Sequence, residues 1–299
     1  MISTNIKKGI AILFGMALLG FSLTGCGGGS SDTSATELVV ITEENSEEVL
    51  SAAFDTIGEA LDFKDGGSFT GIDSTQNPSM VKSTQMPALK EVFSSAKDLK
   101  TLAENTSVEC SEGGSISYSG TEKSGDVTYN NCRESGTTIN GTISIIINAD
   151  GTSGTMTFTN FSFTDPLNRN SLVWDSLVYT FSDTTVSVIM SGYAVNAGER
   201  TEFDNYEFDL TLDSSDNISL TISGMVKTDC LGAWIEIRTT EAIQLSYLDS
   251  CPSAGQVVIE GSSSSLTVDF NADGSVDVSG SASDHYDNCT QLDTIVCAI

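Results

Sequence analysis

Tyr206-Glu207-Phe208-Asp209-Leu210-Thr211-Leu212 places an apolar side chain at every second residue and a polar one between. That period of two is the mark of a strand with one buried and one wet face, and such strands pair antiparallel. The same alternation recurs in Thr155-Met-Thr-Phe-Thr159, Val186-Ser-Val188 and Ile218-Ser-Leu-Thr-Ile222. Ile235-Glu-Ile237, Leu266-Thr-Val-Asp-Phe270 and Val276-Asp-Val278 continue it. Asn168, Asp183, Gly198 and Asp216 stand near the breaks between runs, where turns belong. Two runs change phase internally: Phe158 against Phe161, and Trp174 against Leu177. An extra residue in one strand, a β-bulge, accounts for each change. From about residue 107 onward the chain therefore reads as about a dozen strands.

The segment before it, residues 38–106, reads as helical. Asn45 followed by Glu48 suggests a capping box. Val49, Leu50, Ala53, Phe54, Ile57, Ala60 and Leu61 then recur at helical spacing. A glycine-rich loop, Asp65 to Asn77, separates this from a second stripe after Pro87: Leu89, Val92, Phe93, Ala96, Leu99 and Leu102. The expected fold is mainly β. Two N-terminal amphipathic helices should cover one face of a large, curved antiparallel sheet or open barrel, because a sheet with a single apolar face must bury it.

The β region, 107–299, carries an internal echo. Cys110, Tyr129-Asn-Asn-Cys132 and Asn148-Ala-Asp-Gly151 return as Cys230, Tyr247-Leu-Asp-Ser-Cys251 and Asn271-Ala-Asp-Gly274. Tyr286-Asp-Asn-Cys289 repeats the middle fragment. The expectation is a duplicated β unit, with copies at 107–229 and 230–299.

At the other end of the chain, Lys7 and Lys8 precede an apolar run, Gly9 to Phe21, too short to span a bilayer comfortably. Leu23-Thr24-Gly25-Cys26 follows. This sequence resembles the lipobox of bacterial lipoproteins. The resemblance implies that residues 1–25 are a signal peptide removed by signal peptidase II. It further implies that Cys26 is the lipid-attachment site, and that Gly27 in place of an Asp directs the product to the outer membrane. Two or three acyl chains make a lasting anchor where one binds only marginally. Residues 26–37 then form a flexible tether. Gly27 to Thr36 has no apolar periodicity, and about ten such residues span roughly 17 Å.

The charge supports an exported, soluble body. Of 13 basic and 41 acidic residues, the signal holds two basic and none of the acidic, leaving 11 − 41 = −30 for the mature chain. That charge repels nucleic acid and anionic headgroups, so no nucleic-acid partner is expected. Seven cysteines less Cys26 leave six. An even number in an exported chain implies disulfides. Pairing neighbours gives Cys110–Cys132, Cys230–Cys251 and Cys289–Cys297 as one choice among the 15 that six cysteines allow.

Candidate chemistry is sparse. Asp269-x-Asn271-x-Asp273-Gly274, with Asp277 beyond, matches the first half of a calcium loop, but the twelfth position is Gly280 rather than Glu. A tight type I′ hairpin turn at Asp-Gly explains the same residues without an ion, and no metal or cofactor is expected. His285, the single histidine, reads as an exposed loop residue beside Tyr286 and Asp287. No Gly-x-Ser-x-Gly elbow, phosphate loop, dinucleotide fingerprint or His-Glu-x-x-His occurs. Trp174, Trp234, Phe158, Phe161, Phe163, Tyr179, Phe181, Phe203, Tyr206 and Phe208 cluster mid-chain. They read as sheet core, or as an apolar groove for a hydrophobic ligand.

The expectation is a non-enzymatic envelope lipoprotein with a binding or scaffolding role, held to the membrane by its N-terminal lipid. Its partner is an envelope protein or a hydrophobic ligand. The alternatives are a periplasmic lipid carrier with a half-barrel groove, and a carbohydrate-active hydrolase using paired carboxylates.

Overall fold

A computed structural model describes residues 37–65, 106–121, 123–134, 136–167, 169–196, 198–214, 217–246 and 251–294. It contains one antiparallel sheet of 14 strands whose spatial order is the order of the sequence. Short strands β1 (Thr106–Glu109) and β2 (Ser115–Gly120) open it. Long strands follow: β3 (Ser124–Glu134), β4 (Thr137–Ile147), β5 (Gly154–Asp165), β6 (Asn170–Phe181) and β7 (Thr185–Asn196). Then come β8 (Glu199–Leu212), β9 (Asn217–Thr228) and β10 (Trp234–Ser246). The sheet shortens through β11 (Ala254–Gly261), β12 (Ser264–Phe270), β13 (Val276–Gly280) and β14 (Asp284–Tyr286). Strands β1 and β14 do not pair with each other, so the sheet is open rather than a closed barrel.

Because every connection is a hairpin, successive turns fall on alternate rims. One rim carries the connections at 110–114, 135–136, 166–169, 197–198, 229–233, 262–263 and 281–283. The other carries those at 121–123, 148–153, 182–184, 213–216, 247–253 and 271–275.

Each alternating run quoted above lies inside a strand with its apolar residues buried: Tyr206, Phe208 and Leu210 in β8; Ile218, Leu220 and Ile222 in β9; Leu266, Val268 and Phe270 in β12. The two phase changes are bulges, as expected. Asn160 adopts a left-handed backbone (φ 48°), and the β6–β7 register breaks between Trp174 and Ser176. Such breaks cross the middle of most of the sheet. They occur in β3–β4, in β4–β5, and in each successive pair from β6–β7 to β10–β11.

Asn131, Asn160 and Asn205 all have φ between 46° and 48°, a region that asparagine tolerates better than most residues. A glycine lies against the bulged backbone on the neighbouring strand. A Cβ on Gly141 would stand 2.6 Å from the carbonyl oxygen of Asn160 and 2.6 Å from Cα of Phe161. One on Gly224 would stand 2.5 Å from Cα of Tyr206. This line of bulges bends the strands and increases their twist. It also turns residues three apart to the same side, so Tyr129 and Cys132, Phe158 and Phe161, Trp174 and Leu177, and Phe203 and Tyr206 are all buried.

One α-helix, α1 (Ser46–Asp65), lies among the described residues, where two were expected. The second stripe, Leu89 to Leu102, falls outside them. Helix α1 buries Val49, Leu50, Ala53, Phe54 and Ile57. Asn45 precedes its first residue, and its carbonyl accepts from Val49 N at 3.1 Å. Its side chain turns backward: Oδ1 accepts from Thr42 N (2.8 Å) and Nδ2 donates to Val40 O (3.0 Å). Asn45 thus braces the chain entering the helix. The ring of Phe54 meets Phe270 edge-on at 5.9 Å, and Tyr206 Oη donates to Thr56 O at 2.9 Å, fixing α1 on the apolar face of the sheet.

Candidate functional site

Cys26 and the tether lie outside the described residues, and the described chain begins where the tether is expected to end. Glu37 to Ile41 crosses the first rim. Val39 N donates to Trp234 O (2.9 Å) and Trp234 N to Glu37 O (3.0 Å). Ser262 N then donates to Val39 O (2.7 Å), and Ile41 N to Ser264 Oγ (2.7 Å). Leu38 forms a parallel bridge with Trp234. The segment Glu37 to Ile41 therefore lies between the start of β10 and the β11–β12 turn, immediately before α1 enters the apolar face. Nothing in the periodicity of Glu37 to Ile41 signals this attachment, because it uses only backbone groups and one serine hydroxyl.

The cysteines pair partly as expected. Cys110 and Cys132 form a disulfide that ties the β1–β2 loop to β3. Cys251 pairs with Cys289, which replaces the expected Cys230–Cys251 and Cys289–Cys297 bridges. The physical reason is topological. Cys230 lies in the β9–β10 connection on the first rim, and Cys251 in the next connection on the opposite rim, a full strand away. Cys289 follows β14, which runs back toward the rim that holds Cys251. Cys230 is itself disulfide-bonded, and Cys297 lies outside the described residues.

The half calcium loop resolves into a hairpin turn. Gly274 N donates to Asn271 O (2.9 Å), Asn271 N to Ser275 O (3.0 Å), and Gly274 alone takes positive φ (85°). This is a type I turn closed by a left-handed glycine, not the expected type I′ turn, which needs positive φ at both central residues. Asp273 Oδ1 accepts from Ser275 N (3.0 Å) and Oγ (2.6 Å), Asn271 Nδ2 donates to Asp277 Oδ2 (2.8 Å), and Asp269 Oδ1 accepts from Gln256 (2.6 Å). The oxygens that would hold an ion are engaged in the turn and in cross-strand bonds. The Asn148-Ala-Asp-Gly151 turn is similar but closes one residue later: Gly151 N donates to Asn148 O (3.0 Å), Asn148 N donates to Ser153 O (2.9 Å), and Asp150 accepts from Ser153.

His285 lies on β14, not in a loop, directly across from Asp277 on β13. Its Nδ1 meets Asp277 Oδ1 at 2.7 Å, and Nε2 lies 3.5 Å from Asp287. The bond to Asp277 raises the histidine pKa from its ordinary 6.5 and, with Asn271, lowers that of Asp277. Asp273 is lowered through its bonds to Ser275. The imidazole is about half exposed, and no serine hydroxyl is bonded to it among the described residues. The pairing could have been read from the sequence only by knowing that 284–286 is a strand.

Among the described residues, Cys110, Cys132 and Glu134 are the one group of side chains close enough to share a metal. Their two sulfurs are bonded to each other, which removes both as thiolate ligands, and Glu134 accepts from Ser111 N and Oγ (2.7 and 2.9 Å).

The mid-chain aromatics are packed interior. Trp174, Tyr179, Tyr206, Phe158, Phe161 and Phe208 are each at most 2 % exposed. Phe161 stacks on Trp174 (5.6 Å), and Phe158 meets both edge-on. Burial pushes the Tyr129 hydroxyl up to about 12 and raises Tyr179 as well, so both stay neutral at physiological pH. Phe163 and Trp234 are only half-buried, at the margin of this core. Comparison with protein-family models, with curated proteins and with solved structures found no match to this chain.

Proposed function

We propose that the protein is a non-enzymatic, lipid-anchored lipoprotein of the bacterial outer membrane, in which a disulfide-locked sheet presents its polar face to another envelope component. One observation carries the choice of a binding scaffold over a carrier: the aromatic face of the sheet is filled. Phe158, Phe161 and Trp174 pack on one another, and Tyr206 and Phe270 meet α1. Catalysis has no comparable support. The one histidine sits among carboxylates, and the Asp-Gly turns spend their oxygens on their own backbone.

The outward face is built for contact rather than burial. Thr128–Thr142 and Thr155–Thr180 pair across strands (3.3 and 3.5 Å), and Ser144 donates to Asp126 (2.6 Å). Such hydroxyl ladders stabilise a sheet and leave hydrogen-bonding capacity facing water.

The test is crosslinking in intact cells with a photoreactive side chain placed at Thr157, on that face. A discrete adduct to an envelope protein supports the reading. Stoichiometric lipid retained in native mass spectrometry, with no adduct, would favour the carrier instead. Cys26→Ser should abolish acylation and release the body from membranes. A variant that is still processed and still partitions with membranes would remove the anchor.

A further inference from the structure

We propose that the rim receiving the tether is the membrane-facing rim, and that the β5–β6 turn inserts Leu167 into the lipid surface. The proposal rests on the lipid-anchor reading of Cys26.

Three observations converge on this rim. The first is where the tether attaches: Glu37 to Ile41 is fixed to Trp234, Ser262 and Ser264. Ten glycine- and serine-rich residues span roughly 17 Å on average from there to an acylated Cys26, about half the length of an 11-residue strand at about 3.4 Å per residue. Bringing the far rim to the membrane would need the tether pulled almost fully extended, at an entropic cost, unless the body lies flat.

The second is apolar. Leu167 is 81 % exposed at the tip of the β5–β6 turn, and Val40 is 57 % exposed on the segment that enters the rim. Leu167 is held outward: its N–H donates to Asp165 Oδ1 (3.1 Å) in a turn that begins with Pro166. The other two large apolar residues exposed among the described residues, Ile146 and Ile189, lie on the face within strands rather than at a turn tip.

The third is the placement of cations. Of the Lys and Arg residues on the described part of the sheet, Arg133, Arg169, Arg200, Lys227 and Arg238 lie at or near this rim, and Lys123 lies at the other; Lys64 belongs to α1. The Arg169 guanidinium lies over Gly198 in the adjacent turn, and Arg200 stacks 3.7 Å over the Tyr193 ring. Apolar tips flanked by Arg, Lys and Trp suit the boundary between headgroups and acyl chains.

Acids share the rim, including Glu112, Glu134, Asp165, Glu199 and Asp229. Arg200 and Lys227 both pair with Glu202, and Arg238 pairs with Glu260. The rim is not net positive, so the surface it fits is zwitterionic lipid, reached because the anchor keeps it close. The opposite rim presents Asp150, Asp183, Asp213, Asp273 and Asp277 and faces away.

The experiment uses the acylated full-length product on phosphatidylcholine vesicles, with flotation and hydrogen exchange read together. The expected result is slowed exchange at residues 167–170 and in the turns around 136 and 198, with the turns around 151 and 183 unchanged. Leu167→Glu, at an exposed tip that folding does not need, should lose that protection and still float through its lipid. A protein that floats with the first rim exchanging as in solution, or with the opposite rim protected, overturns the proposal and leaves the anchor intact. A chain that carries no acyl group, or does not float, overturns the anchor reading and the proposal with it.

Discussion

At the scale of single residues, the sheet depends on places where a side chain is missing. Gly141 takes φ 111° and lies against the backbone of the Asn160 bulge. Gly141→Ala would force β4 and β5 apart where Phe161 stacks on Trp174. The expected cost is about 2–3 kcal/mol, a Tm lowered by roughly 4–10 °C. Gly151 also has positive φ (77°), but nothing lies within 4 Å of its missing Cβ. Gly151→Ala should cost only about 1–2 kcal/mol, the backbone component alone. Thermal unfolding of the two variants separates steric from conformational loss, and equal losses would refute the close approach.

His285 gives the pH prediction. Its folded pKa is raised, so its contribution is complete below the ordinary 6.5 and fades as pH rises through the folded value. Asp277 is lowered, so its contribution holds above the ordinary 3.8 and fades as pH falls through its folded value. Strand β14 is therefore held best between those limits and loosens toward alkaline pH. Asp287 also lies nearby and favours the imidazolium, and Asp273 interacts with its charge. Both partners are well exposed, so screening keeps the effect local. NMR titration of the imidazole should give a midpoint above 6.5 that drops in Asp277→Asn, with faster amide exchange in 284–286 at high pH.

At the scale of elements, the Tyr206 hydroxyl is one polar contact that fixes α1 on the sheet. Tyr206→Phe leaves the Thr56 carbonyl buried without that donor, a loss of about 1–2 kcal/mol. Exchange in α1 should rise more than in β8 or β9, because the tyrosine ring still packs. Disulfide mapping of the oxidised protein should return Cys110–Cys132 and Cys251–Cys289, with the remaining pair Cys230–Cys297. Recovery of Cys230–Cys251 would contradict the alternation of rims. That pair was beyond sequence reading, since choosing among cysteines required the strand count between them. The strands themselves were legible, down to the bulges at Phe158/Phe161 and Trp174/Leu177, because period two and its interruption are written in side-chain polarity. The Asp-Gly turns were legible as turns but not in type, which depends on one φ angle. The attachment of Glu37 to Ile41 left no trace in side chains because backbone groups make it.

At the scale of the whole molecule, the apolar stripe on α1 and the one-sided alternation of the strands fit together as the sequence requires. What the sequence left open was whether the sheet closes and what fills its apolar face. Both answers depend on curvature, and curvature comes from a line of bulges and glycines whose combined effect no single window reveals. Every named strand pairs only with its neighbours in the chain, so apart from the bonds of Glu37 to Ile41 with β10 and the β11–β12 turn no pairing waits for a distant segment. A polypeptide that emerges amino end first can add each strand to the one before it. Helix α1 emerges early, yet its seat on β8 and β12 is built late. Until then its apolar stripe has no native cover.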